Sequence, residues 1–356
     1  MRSENWKVKN LIRKEVLRLK AYTVENAKCR IKLDAHEIPY SLPDELRSKV
    51  VNALNRVLLN RYPDPESKVL REIISRQLKV NIDNIVLGNG SDELIQYLIA
   101  VFGNSPGKVL YPVPSFAMYN ITSRALGQIP VEVRLDKDFD IPIKNFMLTV
   151  KQEKPHLIFL SYPNNPTGNC FSGDKIIRII EESKAAVVID EAYYDFSKKS
   201  FLSYLKNYKN LIILRTLSKI GLAGLRVGIL ITHPEIVTEI NKVRLPYNIN
   251  SLSQAAAITV LKNRHIINRQ VNAIINERKR LYEALLKIKG IKPFPSEGNF
   301  ILFRGSNSDA IYRGLFKKGI LIKNLSKPGA LKGCLRVTVG RPEENEAFIK
   351  ALRKLV

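Results

Sequence analysis

The chain has 356 residues, 45% of them hydrophobic and 26% charged, which suits a globular protein of two domains and excludes a disordered or collagen-like chain. Its formal charge of +25, from 58 basic and 33 acidic residues, is spread along the sequence rather than gathered in a basic block. It therefore describes a lysine-rich surface, with no specific nucleic-acid site expected.

The first 22 residues lack an apolar core and a small-residue cleavage site, so no secretory signal is expected. Leu11, Ile12, Val16 and Leu19 recur at helical spacing and predict a docked amphipathic helix. No apolar run is long enough to span a membrane. From about residue 65 to 240, strand and helix patterns alternate. NIVLGNG (84–90) reads as a strand and turn, and SDELIQYLIAVF (91–102) as a helix with Leu94, Leu98, Val101 and Phe102 on one stripe. KVLYPVP (108–114), HLIFLSYP (156–163), AAVVIDEA (185–192), NLIILRT (210–216) and LRVGILI (225–231) read as buried strands, with helices such as SGDKIIRIIEES (172–183) between them. The alternation predicts an α/β fold with a mostly parallel sheet covered by helices. After LPYNIN (245–250) the pattern changes to a long helical stretch over about 252–289, then NFILF, DAIYRGLFKKG, ILIKN, CLRVTVG and a terminal helix, the pattern of a small α+β domain. The expected organisation is an arm and part of the small domain over 1–43, a large domain over 44–247 and a small C-terminal domain over 248–356.

Cys29, Cys170 and Cys334 are odd in number with no CxxC pair, so reduced thiols and a cytoplasmic location are expected. His36, His156, His233 and His265 have no metal-ligand spacing, and no metal is expected.

Four stretches at predicted strand ends carry chemistry. GNGSDE (88–93) leads from a glycine turn into a helix, whose amides could cradle a phosphate; a plain strand-to-helix turn also accounts for it. SYPNNPTGN (161–169) is a rigid turn able to aim an asparagine amide at a ligand. In VVIDEAYYDF (187–196), Asp190 ends an apolar run, where a carboxylate needs a cationic partner, a bound ligand or a helix cap. In RTLSKIGLAGLRVG (215–228), Lys219 sits between two apolar strands, with Ser218 beside it and Arg226 after a small-residue loop. A lysine there either snorkels to solvent or, with a lowered pKa, serves as an amine nucleophile for Schiff-base chemistry. A lysine, an acid for a ring nitrogen, donors for a phenolate and Ser, Arg and helix groups for a phosphate together describe pyridoxal 5′-phosphate.

The motifs LDAHEIPY (33–40), RYPDP (61–65), GNGSDE, PSFAMY (114–119), PNNPTG (163–168), DEAYYDF (190–196), RTLSK (215–219), GLRVG (224–228), KVRLPYNIN (242–250), GNFILF (298–303) and CLRVTVG (334–340) together resemble the fold-type I pyridoxal-phosphate aminotransferase family. RYPDP and KVRLPYNIN point to its histidinol-phosphate branch. The resemblance implies an aspartate-aminotransferase-like fold and Lys219 as the Schiff-base lysine. It implies Asp190 on the pyridine nitrogen, Asn165 and Tyr193 on the phenolate oxygen, and Phe116 stacked on the ring. Ser218, Arg226 and the amides near Ser91 and Asp92 would hold the cofactor phosphate, joined by Tyr62 from the other subunit of a homodimer with shared active sites. Arg336, Tyr22 and Lys323 would bind substrate, with Arg341 a possible substitute for the arginine expected at Lys323. His36 and Ile38 depart from the family pattern, which has asparagines there, and the seven-residue spacing from Lys219 to Arg226 is one shorter than in many relatives. The implied reaction is ping-pong transamination between glutamate and imidazole-acetol phosphate, giving 2-oxoglutarate and histidinol phosphate. An aromatic-amino-acid aminotransferase or a threonine-phosphate decarboxylase on the same scaffold is the alternative.

Overall fold

A computed structural model describes residues 8–21 and 29–356. Its large sheet has seven strands: β2 (Ile85–Asn89), β3 (Lys108–Val113), β4 (Ile129–Arg134), β5 (Leu157–Ser161), β6 (Ala186–Asp190), β7 (Leu211–Thr216) and β8 (Val227–Ile231); a short β1 (Ile31–Lys32) precedes them. Their order is β2-β8-β7-β6-β5-β3-β4. The pairings from β7 through β6, β5 and β3 to β4 are parallel, while β8 runs antiparallel to both β2 and β7.

Residues 157–161, 186–190 and 211–216 are buried throughout, as unbroken Ile, Leu and Val runs require of strands covered on both faces. Alternate side chains feed opposite layers: Ile158, Leu160 and Ile189 join one apolar cluster, and Leu157, Phe159 and Val188 the other. The helix Gly90–Val101 covers the second layer with Leu94, Ile95 and Leu98. The helix Gly173–Glu182 covers the first with Ile176, Ile179 and Ile180.

The C-terminal part carries a second sheet of β9 (Ile291–Pro293), β10 (Phe300–Gly305), β12 (Lys323–Asn324) and β13 (Cys334–Thr338), antiparallel in the order β12-β13-β10-β9. The segment β11 (Ile320–Leu321) pairs in parallel with β1, which ties residues 31–32 to this part of the chain. Helices Ser251–Lys262 and Arg264–Leu286 divide the predicted long helical stretch in two.

Two expectations are corrected. The N-terminal apolar residues form a short 3₁₀ turn, Val8–Leu11, and a single helical turn, Lys14–Leu17, in place of a docked helix. Leu11 is 69% exposed, and Arg13 donates to the Ala125 carbonyl. Four residues make too few hydrogen bonds to sustain a helix without a packed face. The edge strand β4 is an addition to the predicted set. Its Pro130, Glu132 and Arg134 break the apolar signature of the central strands, as edge positions allow.

Candidate active site

The site is assembled where β6 and β7 end and β8 begins, the crevice at which open α/β sheets bind ligands. Ser218–Ile220 form a 3₁₀ turn after β7, and Ala223–Leu225 a second one before β8. Because β8 returns antiparallel, Lys219 and Arg226 emerge at the same sheet edge. Burial, reinforced by the Arg336 and Arg226 guanidinium groups and opposed by Asp92 and Asp190, brings the Lys219 ammonium down to about 8. About a tenth of this amine is then uncharged at pH 7, far more than of an ordinary lysine, as a nucleophile needs. Its Nζ lies 5.8 Å from the centre of the Tyr193 ring.

Asp190 closes β6 and is 3% exposed. Burial pushes its carboxyl up to about 6. The Tyr119 hydroxyl, donating to Oδ2 at 2.7 Å, and the Ala192 amide, donating to Oδ1 at 3.2 Å, hold it from rising further. Tyr119 is fully buried, stacked on Phe159 at 4.6 Å and edge-on to Phe116 at 5.7 Å. PSFAMY contains Tyr119 at its last position, but its link to Asp190 joins residues 71 apart and is legible only in three dimensions.

Beneath this carboxylate the next residue, Glu191, is wholly buried and bound by Arg215 at 2.8 Å, the Phe201 amide at 2.7 Å and the Ser200 hydroxyl at 2.9 Å. Arg215 also lies 3.6 Å above the centre of the Tyr194 ring.

A second group forms an anion cradle. Gly90 has φ +76°, Arg226 has φ +51°, and the Gly90 amide donates to the Arg226 carbonyl at 2.9 Å. A Cβ at Gly90 would lie 2.5 Å from Arg226 Nη2, and one at Gly228 would lie 2.4 Å from the Gly90 carbonyl carbon. Both glycines are thus required for this approach of strand, guanidinium and helix start. Arg226 donates to Asp92 Oδ2 at 3.0 Å and to Ser218 Oγ at 3.4 Å, and Ser218 Oγ lies 3.0 Å from Thr216 Oγ1. Ser91 and Asp92 occupy the first turn of the helix Gly90–Val101, whose free amides and dipole favour an anion.

On the opposite side, Arg336 in β13 donates to Asn165 Oδ1 at 2.6 Å and to the Asp34 carbonyl at 3.1 Å, with its guanidinium 5.5 Å from the Phe300 ring centre. Lys323 in β12 is its cross-strand partner in the register. Arg341 instead caps the helix Pro342–Arg353 and pairs with Glu344 at 3.2 Å. The adjacent asparagines divide their work: Asn164 is buried and ties Pro114, Ser115 and Thr167 together, while Asn165 meets Arg336.

Tyr62 is 81% exposed and stacked on Tyr247 at 4.6 Å. Tyr22 lies outside the described residues. His36, noted in the sequence only as a departure, is 3% exposed, with Nδ1 2.7 Å from the Tyr193 hydroxyl.

The residues present fit pyridoxal phosphate: a buried lysine of lowered pKa with a phenol ring near it, a buried acid, and a cradle that a single methyl group would fill. The family model for aminotransferase class I and II matches residues 30–352, and the chain belongs to that family of pyridoxal-phosphate-dependent transaminases. Within it, the chain groups with the histidinol-phosphate aminotransferases. Those of Caldanaerobacter subterraneus subsp. tengcongensis and Aquifex aeolicus are each 43% identical to it, over 98% and 97% of this chain and 99% and 98% of theirs. The crystal structure of the Clostridium acetobutylicum histidinol-phosphate aminotransferase is 30% identical, covers 91% of this chain and 98% of its own, and superposes with a TM-score of 0.83. That of the Sinorhizobium meliloti enzyme, solved with pyridoxal-5'-phosphate, shares the fold at a TM-score of 0.88 and 22% identity, covering 97% of each chain.

Proposed function

We propose that this transaminase interconverts histidinol phosphate and 2-oxoglutarate with imidazole-acetol phosphate and glutamate. The observation that carries the substrate reading is the pairing of Arg336 with Lys323 across two strands. Two side-by-side cations suit an anion pocket that must take a carboxylate in one half-reaction and a phosphate ester in the other.

Bound pyridoxal phosphate supplies the electron sink that makes the substrate Cα–H acidic. The chain's own groups do the rest. Lys219, on the turn after β7, would take the substrate Cα proton and return it, its uncharged amine acting as the base. Asp190 in its ionised form would keep a pyridine nitrogen protonated, and Tyr119 holds that carboxylate in place. Asn165 and Tyr193 would hold the ring through its oxygen, Phe116 would pack on its face, and Ser218, Arg226 and the amides of Ser91 and Asp92 would grip the phosphate. Arg336 would hold the substrate anion, and its 2.6 Å hydrogen bond to Asn165 Oδ1 supports a substrate site next to the cofactor.

The working unit is a homodimer. Leu58, Leu59, Tyr62, Leu245 and Tyr247 are exposed by 67%, 80%, 81%, 65% and 41%, an apolar face that a second copy would cover while bringing Tyr62 to its neighbour's phosphate. The described residues contain no helix long and apolar enough to cross a membrane; a cytoplasmic location, with thiols kept reduced, belongs to this reading.

The test is the absorbance spectrum of the purified protein with histidinol phosphate added. Loss of the visible band in favour of a near-ultraviolet one supports the reading. A visible band that ignores histidinol phosphate but responds to an aromatic amino acid or to threonine phosphate moves the substrate and keeps the fold.

A further inference from the structure

His36 is fixed by its neighbours rather than by solvent. Its backbone is left-handed, at φ +59°. Its amide donates to Thr338 Oγ1 at 3.0 Å, and its carbonyl accepts from Asn299 Nδ2 at 2.9 Å. The imidazole stacks on Phe300 with ring centres 4.2 Å apart and 11° between planes. Its Nδ1 lies 2.7 Å from the Tyr193 hydroxyl, while its buried Nε2 has no hydrogen-bond partner among the described residues.

A neutral imidazole offers one donor and one acceptor, and a tyrosine hydroxyl has a single hydrogen. If Nδ1 accepts, the Tyr193 hydrogen is turned toward His36, its oxygen lone pairs would face the cofactor oxygen, and Nε2–H is left as a buried donor with no acceptor among the described residues. If Nδ1–H donates, the Tyr193 hydrogen is not taken by His36 and can point into the pocket, and Nε2 keeps only a lone pair unfilled among the described residues. Buried N–H groups without partners are the rarer defect.

We propose that His36 is a positioning residue that donates from Nδ1–H to Tyr193 and so aims the tyrosine hydrogen at the ring oxygen of the bound cofactor. This rests on the reading of Tyr193 as the phenolate partner. Among the described residues, Arg336 on β13 and Lys219 after β7 act electrostatically on His36, and Lys219 and Tyr119 lie near Tyr193. Burial, with Arg336 and Lys219 adding to it, holds the imidazole well below its ordinary value, so the ring stays neutral throughout the working pH range.

The donor has a spectroscopic consequence. A hydrogen bond to the ring oxygen draws charge off it and weakens its hold on the proton shared with the lysine nitrogen. Removing the donor raises the pH at which that proton leaves and the visible band shifts. Nitrogen-15 NMR of histidine-labelled wild-type protein without cofactor tests the tautomer directly, and His36→Asn, which lacks the signal, assigns it among the four histidines. A protonated Nδ1 and a bare Nε2 are expected; a protonated Nε2 overturns the proposal.

In the loaded enzyme, H36F keeps the stack on Phe300 and is expected to raise the band's titration midpoint by about half a unit to one unit, three- to tenfold in proton affinity. H36N, which keeps an N–H donor and tolerates the left-handed backbone, is expected to reverse most of that shift. An unchanged midpoint in H36F, or a shift that H36N does not reverse, overturns the proposal. Y193F separates the two readings. A shift in Y193F without one in H36F sinks the role of His36 alone, and no shift in Y193F sinks the placement of Tyr193.

Discussion

Tyr119→Phe isolates the support given to Asp190. The ring loses only its hydroxyl, so its stack on Phe159 and its contact with Phe116 survive. What is lost is the 2.7 Å hydrogen bond to Oδ2. A hydrogen bond to a charged group contributes about 1.5–3 kcal/mol, and one pKa unit corresponds to about 1.4 kcal/mol, so the Asp190 carboxyl should rise by about one to two units. Burial already holds it at about 6 in the protein without cofactor. In wild type it is therefore ionised at pH 7 and ready to meet a protonated ring nitrogen; in Y119F it is largely neutral there. Cofactor affinity, followed by absorbance titration of cofactor-free protein between pH 6 and 9, should weaken in Y119F relative to wild type below about pH 8, and the two should converge above it. Titration of the cofactor itself is common to both proteins and cancels in the ratio. Stability without cofactor follows the same linkage. The folded carboxyl binds its proton more tightly than an unfolded aspartate, so Asp190 contributes a loss of stability as pH rises from about 4 to about 6. That window extends upward in the variant. Affinity ratios that stay constant across the pH range would refute the role given to Tyr119.

Gly228→Ala forces a methyl to within 2.4 Å of the Gly90 backbone, and overpacking of this kind costs about 1–3 kcal/mol. A lower melting temperature together with weakened cofactor binding is expected, the latter measured by equilibrium dialysis. Glu191→Gln leaves Arg215 buried against a neutral amide, and breaking a buried ion pair costs about 3–5 kcal/mol, an upper bound here because Ser200 still accepts from Arg215. Urea unfolding should move to a lower midpoint without a change of slope. Leu59→Asp places a charge on the exposed apolar face, and light scattering should find a lighter species with less activity per chain.

Most of the fold was legible because the central strands are unbroken apolar runs: AVVID and LIILRT have no competing pattern. The edge strand β4 was hidden because its outward residues face solvent and erase the run. The N-terminal spacing misled because periodicity records which side chains share a face, not whether anything covers that face. At the site, Lys219, Asp190 and Arg226 announced themselves as polar residues in apolar company. Tyr119 and His36 did not, since an aromatic and a lone histidine are ordinary in a core and their partners lie 71 and 157 residues away. The different surroundings of Lys323 and Arg341 needed strand register, which sets Lys323 across from Arg336, while Arg341 stands at the start of a helix beside Glu344.

The reversed direction of β8 bears on how the molecule is made as well as on what it binds. The parallel partners in the sheet are joined by long crossovers, and their pairing must wait for wide loops to close. β7 and β8 are joined by ten residues, 217–226, and pair as neighbours in the chain. Their hairpin is the least costly closure in the sheet, so Lys219 and Arg226 reach their mutual spacing through local chain closure alone. The spacing between the amine and the guanidinium is thus set within one short loop, and a one-residue insertion there would alter it while leaving every helix of the covering layers in place.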